Sequence, residues 1–318
     1  GTDAVTVTGT GTVTDTDTVT DTDRDTGTVP DTGTVKAPLQ KSPRWLCLVP
    51  RGCIDAVRTE PLHSPSFETA SRRKAGDAGE SDVHREYRRW WSPSLGREME
   101  MLVYGHAGVP VLVFPTSMGR FYEWEGFGMV ATLTRQLEGG WNTLYCLDSV
   151  DVEALYNRAA HPAARIARHE QYEAYVVHEV LPMIAAERGS FLIVAGASFG
   201  AYHAANFTFR HPARVGKLIA MGGAYDIKPF LNGYYSDAVY FHNPVDYLAN
   251  LTDEAYLAPL RRADLRLLAG EHDFCRHSTE HVAGLLAARG VPCRLEIWEH
   301  GAGHDWPWWR EMLAVHIA

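Results

Sequence analysis

The sequence lacks any apolar run of about 18 residues, the length that a membrane-spanning helix needs. It also lacks an excess of basic residues, since 30 Lys and Arg stand against 39 Asp and Glu for a formal charge of −9. That balance carries no electrostatic signature of nucleic-acid binding. We therefore expect a protein that neither spans a membrane nor binds nucleic acid.

Cysteines are few, and the five that occur are odd in number and have no CxxC spacing. This pattern argues against a disulfide framework and against a zinc site made of paired cysteines. The apolar segment at 45–50 is too short, and too far from the start, to be the core of a secretory signal. A cytoplasmic location with buried, reduced thiols is the expectation.

The N-terminal region has little that could build a core. Residues 1–35 hold 14 Thr, seven Asp and one Arg, and the residues between the threonines are mostly Asp and Gly, so alternation produces no apolar face. Residues 36–80 add Pro, Ser and mixed charges without periodicity. We predict a disordered tail and linker over 1–80. The first methionine is Met99, so the sequence does not locate the natural start. We hypothesise that much of 1–80 is an upstream extension that contributes nothing to the fold.

From about residue 82 the sequence alternates strand and helix patterns, which is typical of a parallel α/β sheet. The domain is therefore predicted over 81–318, and the segment 227–262, too long for an ordinary connection, is a possible cap. A tight turn is expected to join the first two strands. Predicted strands cover 98–105, 109–115, 142–148, 191–197, 216–224, 264–270 and 293–299, and predicted helices cover 163–189, 200–210, 278–289 and the segment from Trp306.

A serine stands where a predicted strand passes directly into a predicted helix. Gly196, Ser198 and Gly200 fit the pattern G-x-S-x-G of a nucleophile elbow. In such a turn the serine backbone is strained, and side chains two positions away on either side would collide. We predict that the Ser198 hydroxyl is exposed at the carboxyl edge of the sheet, beside a helix N-terminus that favours negative charge.

A serine nucleophile needs a base, and the base needs a carboxylate to orient it. Asp273 follows the strand at 264–270 and His304 follows the last strand, in the order Ser, Asp, His that α/β hydrolases use. Both would lie at the edge that carries Ser198. Asp226 remains an alternative acid and His300 an alternative base.

Three further histidines are close in the sequence: His272, His277 and His281. They lack the glutamate of a zincin motif, so we interpret them as surface residues.

Acyl transfer also needs two amides directed at the oxyanion. The first is expected from Phe199, after the nucleophile, and the second from Ser117, with Thr116 as its alternative, in the loop after the strand at 109–115. The aromatic residues Phe121, Tyr122 and Trp124 line a substrate pocket or belong to the core.

Three stretches carry a resemblance to a known family: GASFGAYHA at 196–204, VLVFPTSMGRFYEWE at 111–125 and GAGHDWPWWREML at 301–313. Over about 85–318 the chain resembles the α/β-hydrolase superfamily, and within it the esterase branch that includes esterase D, the antigen 85 mycolyltransferases and the enterochelin esterases. The loop after 109–115 lacks the HGGG form of lipases and the usual Asp-Gly or His-Gly of this branch.

The resemblance implies an α/β-hydrolase fold, with a mostly parallel central sheet flanked by helices. It implies a serine esterase that cleaves a small-molecule carboxylic ester through an acyl-enzyme, with Ser198, Asp273 and His304 as the catalytic residues and no metal or organic cofactor. Two alternatives remain on this scaffold. One is an acyltransferase that uses a second alcohol, and the other is a binding module without turnover.

Overall fold

A computed structural model of the chain describes residues 83–318. The tail predicted over 1–80 lies outside the described residues. Within them, no helix is both long enough and apolar enough to cross a membrane. The strands are β1 (Arg85–Ser92), β2 (Arg97–Tyr104), β3 (Val109–Phe114), β4 (Asn142–Leu147), β5 (Ile193–Ala197), β6 (Lys217–Met221), β7 (Asp264–Gly270) and β8 (Arg294–Trp298).

These strands form one eight-stranded sheet in the order β1-β2-β4-β3-β5-β6-β7-β8. The pairs β1/β2 and β2/β4 are antiparallel, and every pair from β4 to β8 is parallel. The predicted mostly parallel sheet is therefore confirmed. All residues of β4, β5 and β6 are buried, as expected for strands that are covered on both faces.

Residues 105–108 join β2 and β3 by the short, glycine-containing turn that was predicted. These two strands do not pair with each other, because β4 lies between them and pairs with both. One strand differs from the sequence prediction. The strand β1 was not predicted at all, because its sequence REYRRWWS carries charges that obscure the alternation. It pairs along its whole length with β2 and forms one edge of the sheet.

The helices flank the sheet, and the predicted helix at 163–189 is interrupted by a π-helical turn at Val176–Val180. Pro182 lies two residues after this turn, and because proline has no amide N–H the regular hydrogen-bond ladder cannot continue through it. The α-helices are α1 (Glu123–Gly126), α2 (Met129–Thr132), α3 (Thr134–Glu138), α4 (Pro162–Tyr175), α5 (Leu181–Arg188), α6 (Phe199–Arg210), α7 (Asp237–His242), α8 (Pro244–Tyr247), α9 (Glu254–Leu260), α10 (Arg276–Ala288) and α11 (Trp306–His316).

The long segment between β6 and β7 consists of short helices, α7, α8 and α9, together with 3₁₀ turns at Lys228–Phe230 and Leu248–Asn250. It packs against α4, α6 and α10. Parallel strands β3 to β8 all end at one edge of the sheet, so the loops that follow them lie together there. This edge carries the predicted site residues.

Candidate active site

Ser198 lies in the one-residue turn between β5 and α6, with φ 55° and ψ −121°. A non-glycine residue in this backbone region costs on the order of 1–3 kcal/mol. The flanking glycines permit the turn, because a Cβ on Gly196 would lie 2.1 Å from the carbonyl oxygen of Gly200, and one on Gly200 would lie 2.5 Å from the carbonyl oxygen of Phe114. The local backbone thus has the geometry that the G-x-S-x-G pattern predicts.

Hydrogen bonds join the three side chains that were selected from the sequence. The Oγ of Ser198 lies 2.9 Å from Nε2 of His304, and Nδ1 of His304 lies 2.8 Å from Oδ1 of Asp273. A carboxylate can only accept, so Nδ1 carries the proton and Nε2 accepts from the Ser198 hydroxyl. The Asp273 side chain is fully buried, and 11% of the His304 side chain is exposed.

The turn after β7 fixes Asp273. Its Oδ1 also accepts from the amide of Cys275 at 2.7 Å, whereas its buried Oδ2 has no hydrogen-bond partner among the described residues. Gly222, at φ 62°, lies directly beside this carboxylate. A Cβ there would lie 2.5 Å from Oδ2 of Asp273 and 3.0 Å from Nδ1 of His304. Only a glycine therefore leaves room for this hydrogen bond.

The alternative acid and base lie in other interactions. Asp226 accepts from the side chain of Asn243 at 3.1 Å and from the amide of Lys228 at 3.0 Å. His300 is exposed and has a left-handed backbone conformation at the end of the strand. The three histidines that were interpreted as surface residues are all exposed: His272, His277 and His281.

One group of side chains in residues 83–318 has donor atoms close enough to hold a metal ion. It comprises Asp273, Cys275 and His304, whose donors lie within 4.8 Å of one another. Burial, and next the negative charge of Asp273, raise the pKa of the Cys275 thiol to about 12. The other two side chains, those of Asp273 and His304, already bond to each other at 2.8 Å.

Three amides near Ser117 in the loop after β3 already have acceptors. The Thr116 amide donates to Oε2 of Glu123 at 2.7 Å, the Met118 amide to Oδ2 of Asp151 at 3.0 Å, and the Gly119 amide to the Thr116 carbonyl at 2.9 Å. The Ser117 amide has no acceptor among residues 83–318. The Thr116 alternative is thus occupied, and Ser117 remains.

Residues after β4 fix the position of this loop through side-chain hydrogen bonds. Asp151 is 1% exposed, and its Oδ1 lies 3.0 Å from Nε2 of His203, a buried residue of α6. The Tyr156 hydroxyl donates to Oγ of Ser117 at 2.6 Å. Sequence reasoning missed Asp151. The sequence signal that could have identified Asp151 was its position just after a buried strand, at the edge of the sheet where Ser198 was expected.

For the three aromatic residues after β3, the sequence left a pocket position and a core position open. Trp124 is 1% exposed and belongs to the core, whereas Tyr122 is half exposed. The ring of Phe121 packs against Tyr122, with centroids 5.1 Å apart. Sequence reasoning missed Phe274, which is 78% exposed and lies 4.0 Å from the His304 ring.

On the other side of the nucleophile, the ring of Phe199 contacts Tyr156 at 5.2 Å and Phe230 at 5.3 Å. Phe230 belongs to the segment 227–262, so this segment reaches the surroundings of Ser198. The amide of Phe199 opens α6, and the first amides of a helix have no partner within the helix. Together with the Ser117 amide, it is available to a ligand.

Solved structures with similar folds include esterases and hydrolases. A ferulic acid esterase has a TM-score of 0.60 at 18% identity, with 74% of this chain and 96% of that one covered. An S-formylglutathione hydrolase from Agrobacterium tumefaciens has a TM-score of 0.60 at 16% identity, covering 78% and 96%. One from Staphylococcus aureus has a TM-score of 0.56 at 14% identity, covering 74% and 96%.

No protein-family model matches the chain, and no curated protein sequence matches it. At identities of 14–18% the structural likeness establishes the fold. The described part of the chain has the α/β-hydrolase fold of these esterases. The resemblance seen in the sequence is thereby confirmed at the level of the fold.

Proposed function

We propose that the chain is a serine hydrolase that cleaves carboxylic esters through an acyl-enzyme. The observation that carries this proposal is the continuous set of hydrogen bonds from Ser198 through His304 to Asp273, with the serine held in a strained turn. A hydroxyl on its own is a weak nucleophile, and a bonded imidazole is the group that activates it. The similar folds of esterases support the same chemistry.

In this mechanism Nε2 of His304 removes the proton of Ser198 as its Oγ attacks the ester carbonyl. Asp273 keeps the imidazole in the tautomer with a proton on Nδ1 and stabilises the imidazolium that forms. His304 then gives the proton to the departing alcohol, and the acyl group remains on Ser198. A water molecule activated by the same histidine releases the acid and restores the enzyme.

The negative charge of each tetrahedral intermediate would be stabilised by the amides of Phe199 and Ser117. Support for Ser117 comes from its neighbours, because the adjacent amides already donate to Glu123, Asp151 and a backbone carbonyl. One such donor typically contributes about 3 kcal/mol to the transition state. The N-terminus of α6 adds a favourable dipole.

The substrate class that fits this site is a small-molecule ester. The structural neighbours include a ferulic acid esterase and S-formylglutathione hydrolases, so oxygen esters and thioesters are both chemically reasonable substrates. The mechanism uses protein groups and water, without a cofactor. We propose residues 81–318 as the catalytic domain, with 227–262 as a cap that reaches the site through Phe230.

A fluorophosphonate probe tests the proposal, because it reacts only with an activated serine. We expect the wild-type protein to be labelled and to hydrolyse short nitrophenyl esters, and Ser198→Ala to lose both properties while keeping its thermal unfolding temperature. A wild-type protein that neither reacts nor turns over would be a binding module. Ester products that appear only when an alcohol is added would instead identify an acyltransferase.

A further inference from the structure

Phe274 exposes an apolar ring beside the proposed base. Its side chain is 78% exposed, and its ring centroid lies 4.0 Å from that of His304 at an interplanar angle of 39°. Exposed apolar area costs free energy that burial would recover. A ring in this position is not part of the core, and it gains most when another apolar group covers it.

The turn that carries Phe274 is ordered by hydrogen bonds on both sides of it. The Asp273 amide donates to the Gly270 carbonyl at 3.1 Å, the Cys275 amide to Oδ1 of Asp273 at 2.7 Å, and the Arg276 amide to the Asp273 carbonyl at 2.9 Å. The Arg276 guanidinium bonds to Glu280 at 2.8 Å. With that charge already paired, the turn presents an apolar ring to a ligand.

Further aromatic rings extend from His304 through Trp309. Trp309 lies edge-on to His304 at 4.9 Å and to Trp306 at 5.0 Å, and Phe127 stacks on Trp306 at 4.3 Å with the planes 4° apart. Phe127 is 48% exposed. We call Phe274, Trp309, Trp306 and Phe127 the aromatic strip. His304 lies within it, between Phe274 and Trp309.

The proton transfer that His304 carries out determines which part of an ester lies beside the aromatic strip. Nε2 of His304 must reach the oxygen of the departing alcohol in order to protonate it. The carbonyl oxygen lies at the amides of Phe199 and Ser117 instead. The substituent on the departing oxygen therefore lies next to the imidazole, where Phe274 is the exposed neighbour.

We propose that Phe274 forms the wall of a leaving-group subsite that takes an apolar, ring-bearing alcohol. This inference rests on the proposed function and narrows it, because it names the alcohol side of the ester. An aromatic group that packs on an exposed phenyl ring gains about tenfold in kcat/KM over a small alkyl group.

The test compares two acetate esters that differ only in the alcohol, ethyl acetate and 2-phenylethyl acetate. Both alcohols are primary alkyl alcohols, so their chemistry as leaving groups is similar, and both esters form the same acetyl-enzyme. The ratio of their kcat/KM values therefore reports recognition of the alcohol. We expect the wild-type protein to prefer 2-phenylethyl acetate by about tenfold or more.

Phe274→Ala should bring this ratio close to one, because it lowers kcat/KM for 2-phenylethyl acetate more than kcat/KM for ethyl acetate. The unfolding temperature, and the ratio of kcat/KM for ethyl acetate to that for ethyl butyrate, should stay unchanged. The matched control is Phe191→Ala, which removes another exposed phenylalanine, 55% exposed, just before β5 at the opposite edge of the sheet. It should keep the wild-type preference.

Three results would overturn the inference while leaving the proposed function intact. The wild-type protein could show no preference between the two alcohols. Phe274→Ala could lower both rates equally, as expected of a residue that only supports His304. The substitution could change the acyl ratio instead of the alcohol ratio. If the wild-type protein also fails to react with a fluorophosphonate, the proposed function itself fails, and the inference fails with it.

Discussion

At the scale of single residues, Gly222 leaves the space in which Asp273 and His304 meet. Its φ of 62° is unfavourable for other residues, and an added Cβ would lie 2.5 Å from Oδ2 of Asp273. Because that carboxylate is buried and held by the Cys275 amide, it cannot move aside freely. A methyl group at this position should therefore disturb the orientation of the imidazole.

We predict that Gly222→Ala lowers kcat for ester hydrolysis by about 10² to 10⁴, the upper value being the loss expected when the carboxylate no longer orients the histidine. The control is Gly96→Ala, which has the same φ of 62° but no atom within 4 Å of the added Cβ. This variant introduces the strain of a left-handed backbone without a steric contact at the added methyl group. If the two variants are equally active, the space beside Asp273 has no role in catalysis.

His304→Ala should lower turnover by a factor of about 10⁴ or more while the protein remains folded. His300→Ala serves as the matched control, since His300 is exposed and four residues away in the same loop region. Steady-state kinetics with circular dichroism measure both properties. A modest loss in His304→Ala, together with inactive His300 and Asp226 variants, would mean that the proposed base and acid are wrong.

The positions of Ser198, Asp273 and His304 in the fold could be predicted from the sequence, and their catalytic roles stay a prediction. The glycine spacing around Ser198 follows from local sterics, and Asp273 and His304 follow parallel strands that end at a common edge. Gly222, Asp151 and Phe274 could not be predicted in the same way. Their importance depends on contacts between segments that are distant in the sequence.

At the scale of elements, the loop after β3 is held by the loop after β4. Asp151 accepts from the Met118 amide and contacts His203, and Met118 itself has a left-handed φ of 57°. This bond keeps the loop in the conformation that leaves the Ser117 amide free. β4 also lies between β2 and β3 in the sheet, so these two strands do not pair although a short turn joins them.

We predict that Asp151→Ala lowers kcat by about tenfold to a hundredfold with little change in KM, because the Ser117 donor becomes misplaced only slightly. Asp151→Asn should recover most of the loss, since an amide oxygen can also accept from Met118. Kinetics on one nitrophenyl ester, with unfolding temperatures, give the comparison.

Glu153→Ala is the control for that prediction, because Glu153 belongs to the same loop and forms ion pairs with Arg97 and Arg168. It should leave kcat unchanged. If Asp151→Asn were as inactive as Asp151→Ala, the carboxylate charge and not its role as an acceptor would matter. Full activity in Asp151→Ala would remove the loop argument altogether.

At the scale of the whole molecule, buried histidines couple stability to pH. His242 is 1% exposed, and its Nδ1 lies 3.3 Å from both Nδ2 of Asn206 and Oε2 of Glu173, which connects α7 to α6 and α4. Burial, and next the positive charge of Arg210, lower the pKa of His242 to about 3. In the unfolded chain a histidine titrates near about 6.5.

Below about pH 6.5 the unfolded state therefore takes up a proton at His242, whereas the folded state does not until about pH 3. The stability that neutral His242 allows is present above about pH 6.5 and is lost as the pH falls toward 3. We predict that the free energy of unfolding in urea decreases steadily from pH 7 to pH 5. His242→Gln should decrease less steeply, and an identical slope in the two proteins would contradict the assignment.

The central claim is that an acyl group passes through the hydroxyl of Ser198, and trapping the intermediate tests it most directly. The protein is mixed with a nitrophenyl ester, quenched in acid within the first turnover, digested and analysed by mass spectrometry. We predict one acyl group per chain, on the peptide that contains Ser198, with a matching burst of nitrophenol. Turnover without that adduct, or an adduct on another residue, would contradict the account.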